Sequence, residues 1–160
     1  MNVKLIGIAG LLLLLGACAS PPPPEAGPAG GPPPGANGGA IVPGSQQDLA
    51  ATAGDRVFFA FDRSDISPEA RQILERQAQW LQHYPNVAVR VEGHCDKRGT
   101  REYNLALGER RAHAVKQVLV ALGIPAGRIT TISYGKDRPI VLGDSEEDYA
   151  QNRVAITTVQ

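Results

Sequence analysis

The distribution of proline along the chain constrains its fold more than any other feature. Nine of the 13 prolines, together with seven glycines, fall within residues 21–44, where Glu25 is the only charged residue. Such a segment cannot bury enough apolar surface to offset the entropy lost on ordering, so we expect a disordered spacer with short polyproline II stretches. We extend this spacer to residue 53 and place a single folded domain in residues 54–160. A domain of that length can build one hydrophobic core without disulfides.

The first residues of the chain have the pattern of a targeting signal rather than of a folded element. Lys4 precedes an apolar run of 11 residues, Leu5–Leu15. As a helix this run would cross only about half of a hydrocarbon core of about 30 Å, so it favours a cleaved signal over a spanning anchor.

The residues after the apolar run, Leu15-Gly16-Ala17-Cys18, resemble a bacterial lipobox. That resemblance implies a signal peptide over residues 1–17 and a lipid anchor on Cys18, which would be the first residue of the mature chain. Residues 18–53 would then form a lipidated tether. Residue 19 is Ala rather than Asp, which by resemblance to bacterial lipoproteins implies sorting to the outer membrane. An ordinary signal peptide with an incidental Cys18 is the alternative.

Charge and composition exclude several classes of function. The chain has 16 basic and 16 acidic residues, which argues against a nucleic-acid-binding protein, and its aromatic content of 5% argues against a stacking platform for single strands. Two cysteines cannot make a disulfide-rich scaffold.

The periodicity of residues 54–160 predicts the order β-α-β-α-β-(α)-β. Such alternation favours an α+β two-layer sandwich with helices on one face of a mixed four-stranded sheet. Ser67 and Pro68 are typical of a helix start. For the second long helix we predict an apolar stripe made of Tyr103, Leu107, Ala114, Val118 and Leu122.

The densest polar cluster is residues 93–100, which follow a predicted strand and open a helix. A metal site at His94, Cys95 and Asp96 is disfavoured because adjacent strand residues point to opposite faces and no CxxC or HxxxH partner exists. Catalysis by Cys95 is disfavoured because His94 would lie on the other face. We expect no metal and no cofactor, and Cys95 as a small, half-buried residue.

Arg111 lies on the otherwise apolar stripe, where a buried guanidinium needs a partner. Asn104 is two turns earlier on the same face, and both side chains lean toward the loop that carries Asp96. This arrangement suits a zwitterionic ligand with its ammonium at Asp96 and its carboxylate on Arg111. An internal salt bridge between Asp96 and Arg111 fits the spacing equally well.

Residues 91–112 closely resemble the OmpA-like peptidoglycan-binding domain, and the run GTREYNLALGERRA within them resembles the peptidoglycan-associated lipoproteins of that family. Further blocks match in the same order at residues 59–66, 133–139 and 151–154, so the resemblance covers residues 56–159. Cys95 stands where Thr or Ala is common in the family, and Val154 stands where a second Arg is common.

The resemblance implies an OmpA-like fold and non-covalent binding of the diaminopimelate in the peptidoglycan stem peptide. Asp96 would bind the ammonium and Arg111 the carboxylate. Other matching positions would support or line the pocket, with Arg153 at its rim: Phe61, Asp62, Thr100, Asn104, Leu107, Ala112 and Arg153.

The resemblance further implies a lipid-anchored outer-membrane protein whose head faces the periplasm and couples membrane to wall. TolB and other proteins of the Tol-Pal system, which serves cell division and envelope integrity, would be its partners. No enzyme activity and no nucleic-acid partner are implied. A protein–protein module without wall affinity, or a cell-wall hydrolase, are the alternatives.

Overall fold

The computed structural model describes residues 40–160, and the predicted signal peptide, lipidated Cys18 and the proline-rich spacer up to residue 39 lie outside the described residues. No helix in the described part is both long and apolar enough to cross a bilayer. The elements, in chain order, are α1 (Gln46–Thr52), β1 (Arg56–Phe58), α2 (Pro68–His83), β2 (Val89–His94), α3 (Arg101–Ala121), a short 3-10 turn (Ala126–Arg128), β3 (Ile129–Gly135), α4 (Glu146–Asn152) and β4 (Val154–Val159).

The four strands form one mixed sheet in the order β1-β4-β2-β3. Strands β2 and β3 are parallel and are joined through α3, whereas β4 runs antiparallel to both β1 and β2. Along β2, Val89 and Val91 are buried in the core, while Arg90 and Glu92 on the other face are only half-buried. The predicted α+β sandwich with a mixed four-stranded sheet is therefore confirmed.

Helix α3 approaches the end of β2 through a contact between two glycines. A Cβ atom added to Gly93 of β2 would lie 1.9 Å from the carbonyl oxygen of Gly108 in α3. Only glycine permits this approach of two backbones. The contact brings the first half of α3 directly against the end of β2.

The predicted apolar stripe of α3 is confirmed at Leu107, which is buried, and in part at Val118 and Leu122, which are half-buried against the core. It is wrong at Tyr103, which is exposed, while Ala114 is half-buried and Arg111 is fully buried as expected. Two polar residues, Asn104 and Arg111, face inward with the apolar ones. The buried face comprises Asn104, Leu107, Gly108, Arg111, Ala112, Val115 and Leu119.

The predicted boundary between spacer and domain at residue 53 is also wrong. Ser45 caps α1 by accepting a hydrogen bond from the Asp48 N–H, and Leu49 is fully buried in the core. The Gln46 side chain accepts from the N–H of Val159 at 2.8 Å and donates to the Thr157 carbonyl at 3.1 Å. A helix of seven residues is too short for its periodicity to stand out in the sequence, so its tertiary contacts decide where the folded part begins.

Substituting Leu49→Ala tests whether α1 belongs to the domain. We expect the free energy of unfolding to fall by about 2–4 kcal/mol, since the change leaves a cavity in the core. Urea denaturation of the purified chain measures it, with Gln47→Ala on the exposed side of the same helix as the control. Equal stability of the two variants would show that α1 is part of the spacer.

Candidate functional site

A pocket of about 160 Å³ opens where β2 passes through the loop 95–100 into α3. The loop that follows β1 forms its opposite wall. The lining residues are Phe61, Asp62, Cys95, Asp96, Arg98, Gly99, Tyr103, Asn104, Leu107 and Arg111. The pocket thus brings together six of the predicted site residues: Phe61, Asp62, Asp96, Asn104, Leu107 and Arg111.

Arg111 forms the floor of this pocket, and its side chain is bonded to three backbone carbonyls from two segments. Its Nε donates to the Arg63 carbonyl at 2.8 Å, one Nη1 N–H donates to the His94 carbonyl at 2.8 Å, and Nη2 donates to the Ala60 carbonyl at 3.2 Å. A second Nη1 contact reaches the Cys95 Sγ at 3.4 Å. Arg111 therefore joins the loop after β1 to the end of β2.

The charge of Arg111 is not neutralised by any carboxylate within 4.0 Å in residues 40–160. The residue is 0% exposed, and burial lowers the pKa of its guanidinium below the usual value. The Phe59 ring, 5.1 Å from the guanidinium carbon, gives weak compensation. A guanidinium has five N–H donors, and one on Nη2 has no acceptor among the described residues. The pocket floor thus holds a buried cation with one N–H donor that lacks an acceptor among the described residues.

Asp96 lies beside this floor and is itself only 4% exposed. Its carboxylate accepts hydrogen bonds from the backbone N–H, Nε and Nη2 of Arg98 at 3.1, 3.2 and 2.7 Å, and from Nη1 of Arg153 at 3.4 Å. Burial alone would raise the pKa of Asp96, but the hydrogen bonds and charge of Arg98 outweigh it and the pKa lies below its ordinary value.

The internal salt bridge between Asp96 and Arg111, one of the two alternatives, is absent from the ion pairs of residues 40–160. Asp96 pairs with Arg98 and Arg153 instead. The two opposite charges therefore border one cavity without neutralising each other by direct contact.

The loop that carries Asp96 is fixed by the start of α3. Thr100 caps the helix by accepting from the Tyr103 N–H, and Gly99 adopts a φ of 88° that favours glycine. The Asn104 amide donates to the carbonyls of Arg98 at 2.7 Å and Thr100 at 3.0 Å. Asn104 and Thr100 thus hold the loop in place, while of these two only Asn104 lines the pocket.

The rim of the pocket is aromatic. Phe61 is 58% exposed, and its ring centroid lies 4.2 Å from the Arg98 guanidinium carbon. Tyr103 donates its hydroxyl hydrogen to Asp62, a residue with a positive φ of 56°. These contacts join the loop after β1 to the loop 95–100 and to α3 across the mouth of the pocket.

Two predicted positions differ in the structure. Ala112 does not line the pocket but lies in the hydrophobic core, because one helical residue turns its side chain about 100° away from that of Arg111. Arg153, expected at the rim, lies behind Asp96, with its side chain 10% exposed and bonded to Glu146 at 2.8 Å.

Sequence reasoning missed Arg98 and Tyr103 as pocket residues. Arg98 could have been found, since it follows Asp96 by two residues in the same polar loop. The sequence predicts Tyr103 in the core stripe, whereas the orientation of α3 places it at the pocket mouth.

Cys95 is a free, buried thiol that donates to the Asn104 carbonyl at 3.3 Å. Burial raises the pKa of Cys95, so the neutral thiol is favoured. His94 is buried and bonded through Nδ1 to the Arg138 carbonyl. No group of three His, Cys, Asp or Glu side chains within residues 40–160 could hold a metal ion.

The structure is thus an α+β domain with a cation at the floor of a small pocket and a carboxylate at its wall. The sequence profile of the OmpA family matches residues 58–153. This chain belongs to the OmpA family.

Curated relatives are identical to this chain at about half of the aligned residues. The peptidoglycan-associated lipoprotein of Agrobacterium fabrum is 55% identical over 117 residues, which cover 73% of this chain and 66% of the relative. That of Brucella melitensis is 51% identical over 120 residues, covering 75% of this chain and 71% of the relative.

Solved structures agree with the fold. The crystal structure of the peptidoglycan-associated lipoprotein from Burkholderia pseudomallei is 39% identical with a TM-score of 0.66, over 68% of this chain and 92% of that one. The C-terminal domain of Helicobacter pylori MotB is 26% identical with a TM-score of 0.62, over 66% of this chain and 84% of that one.

The substitution Arg111→Lys tests the structural role of the guanidinium. The lysine ammonium cannot reproduce the forked contacts of the guanidinium to three carbonyls. We therefore expect the free energy of unfolding to fall by about 1–3 kcal/mol. Urea denaturation measures it, and Arg110→Lys at the exposed neighbouring position is the control. Equal effects at the two positions would contradict the bonding pattern described here.

Asp96→Asn tests the lowered pKa of the pocket carboxylate. A group whose folded pKa is depressed stabilises the fold above its ordinary pKa, here 3.8, and loses that contribution as the pH falls through the folded value. We therefore expect the loss of stability between about pH 5 and pH 2 to be smaller in Asp96→Asn than in the wild type. Thermal denaturation across that range measures it, with Asp137→Asn as the control, and unchanged acid sensitivity would refute the claim.

Proposed function

We propose that this chain binds peptidoglycan non-covalently at the diaminopimelate of the stem peptide. The observation that carries the proposal is Arg111, a fully buried cation with one N–H donor lacking an acceptor among the described residues, at the floor of a pocket whose wall bears Asp96. Burying a charge without an opposite charge is costly, so the site favours a ligand that brings an anion.

Diaminopimelate has the chemistry that this pocket requires. Its side chain ends in a carbon that carries both an ammonium and a carboxylate. The carboxylate would accept from Arg111 and the ammonium would donate to Asp96, while the methylene groups would contact Leu107 and the exposed ring of Phe61. A lysine in the same position of the stem would lack the carboxylate and leave Arg111 without its anion.

The wider role that we propose is a link between the outer membrane and the cell wall. The relatives reported above are named as peptidoglycan-associated lipoproteins, which supports an envelope lipoprotein. A lipid anchor on Cys18 would fix the chain in the outer membrane with its domain in the periplasm, and more than one acyl chain would make that anchor stable. On the family resemblance we propose TolB and other Tol proteins as partners in envelope integrity and cell division.

A binding module explains the pocket better than an enzyme does. The single thiol at the site, Cys95, is buried with a raised pKa and donates to a carbonyl, which does not suit a nucleophile. A hydrolase would release soluble muropeptides with time, whereas a module without wall affinity would bind TolB and fail to sediment with the wall.

Sedimentation with two kinds of purified peptidoglycan tests the proposal. We expect the full-length chain to sediment with a wall that contains diaminopimelate and to stay in solution with a wall that has lysine at that position. Equal binding to both walls would show that Arg111 does not select a carboxylate.

The substitution Asp96→Asn should weaken binding to the diaminopimelate-containing wall by at least about tenfold, since it removes a charged hydrogen-bond acceptor for the ammonium. Asp137→Asn, which alters an exposed carboxylate paired with Arg101, is the matched control. If Asp96→Asn binds like this control, the ammonium is not recognised at Asp96.

A further inference from the structure

The carboxylate of Asp96 has no free acceptor position for a ligand. A carboxylate offers about four lone-pair positions. Oδ1 accepts from the N–H and Nε of Arg98, and Oδ2 accepts from Nη2 of Arg98 and Nη1 of Arg153. Any ammonium that binds Asp96 must therefore displace a donor already there.

The side chain of Arg98 is the donor that can leave. Arg153 has a side chain that is 10% exposed, and it also bonds to the Phe59 carbonyl and Glu146. The Arg98 side chain is 35% exposed and supplies two of the four contacts to Asp96. Its backbone N–H, which supplies a third, stays in place when the side chain rotates.

Arg98 has other partners that would keep it near the pocket once it releases Asp96. Its guanidinium carbon lies 4.2 Å from the ring centroid of Phe61 and 4.6 Å from that of Tyr149. Its Nη1 donates to Glu146 at 3.2 Å, and the Glu146 side chain is 61% exposed and can follow it. The Arg98 guanidinium therefore keeps a carboxylate and two aromatic rings as partners after it releases Asp96.

We propose that Arg98 gates the pocket: its guanidinium occupies the position at Asp96 that a ligand ammonium takes, and binding exchanges one cation for the other. This inference rests on the proposed function of the pocket. The measured binding free energy then reflects the difference between two ion pairs at Asp96, the one with the ligand ammonium and the one with Arg98 that it replaces. A ligand that carries only the carboxylate reaches Arg111 without moving Arg98.

The substitution Arg98→Met tests the gate by isothermal titration calorimetry of the full-length chain with the tripeptide L-Ala-γ-D-Glu-meso-diaminopimelate. Methionine keeps an unbranched side chain against the two rings but removes the competing cation. We expect the dissociation constant to fall by about fivefold, the factor that corresponds to the loss of one partly exposed ion pair.

Arg101→Met is the matched control, because it removes the same charge three residues away. Arg101 pairs with the exposed Asp137 and does not line the pocket. A second ligand isolates the ammonium: the same tripeptide with 2-aminopimelate, which keeps the distal carboxylate but lacks the distal amino group. We expect Arg98→Met to leave the affinity for this second ligand unchanged.

The outcomes separate the gate from the pocket itself. If the wild type binds the diaminopimelate tripeptide and Arg98→Met binds it equally or more weakly, the gate is wrong and the pocket assignment stands. An equal gain in Arg101→Met, or an equal gain for both ligands, also overturns the gate. If neither protein binds the tripeptide, the proposed function fails along with it. Arg98→Gln, with the same expected results, replaces the methionine variant should that variant not fold.

Discussion

The burial of Arg111 is the interaction on which the rest of the site depends. Its guanidinium is bonded to carbonyls of Ala60, Arg63 and His94, and so joins the loop after β1 to the end of β2. These carbonyls satisfy most of its donors but supply no negative charge. The same side chain therefore holds the segments around the pocket together and leaves a buried positive charge that a ligand anion can neutralise.

The sheet and α3 place this cation next to its opposite charge. Contact between Gly93 and Gly108 brings α3 against β2, so that the inward face of the helix reaches the loop at the end of the strand. Asn104 fixes that loop, and Asp96 is directed into the cavity within a network with Arg98, Arg153 and a carboxylate of α4. Separate partners for Arg111 and Asp96 keep the two from collapsing into one salt bridge.

Much of this arrangement could be predicted from the sequence, because it follows from local patterns. Strand alternation and helix caps gave the order of elements, and the seven-residue spacing of Asn104 and Arg111 placed both on one helical face. What could not be predicted depends on tertiary contacts: the orientation of α3 that exposes Tyr103, the docking of α1 through Leu49, and the burial of Arg153 behind Asp96. The choice between an open pocket and an internal salt bridge also required side-chain geometry, since both fit the same spacing.

The most direct measurement is a crystal structure of the full-length chain bound to a stem peptide that contains diaminopimelate. The account predicts that the distal carboxylate contacts Arg111 and the distal ammonium contacts Asp96. A peptide bound at another surface, with the Arg111 donor still unpaired, would contradict it.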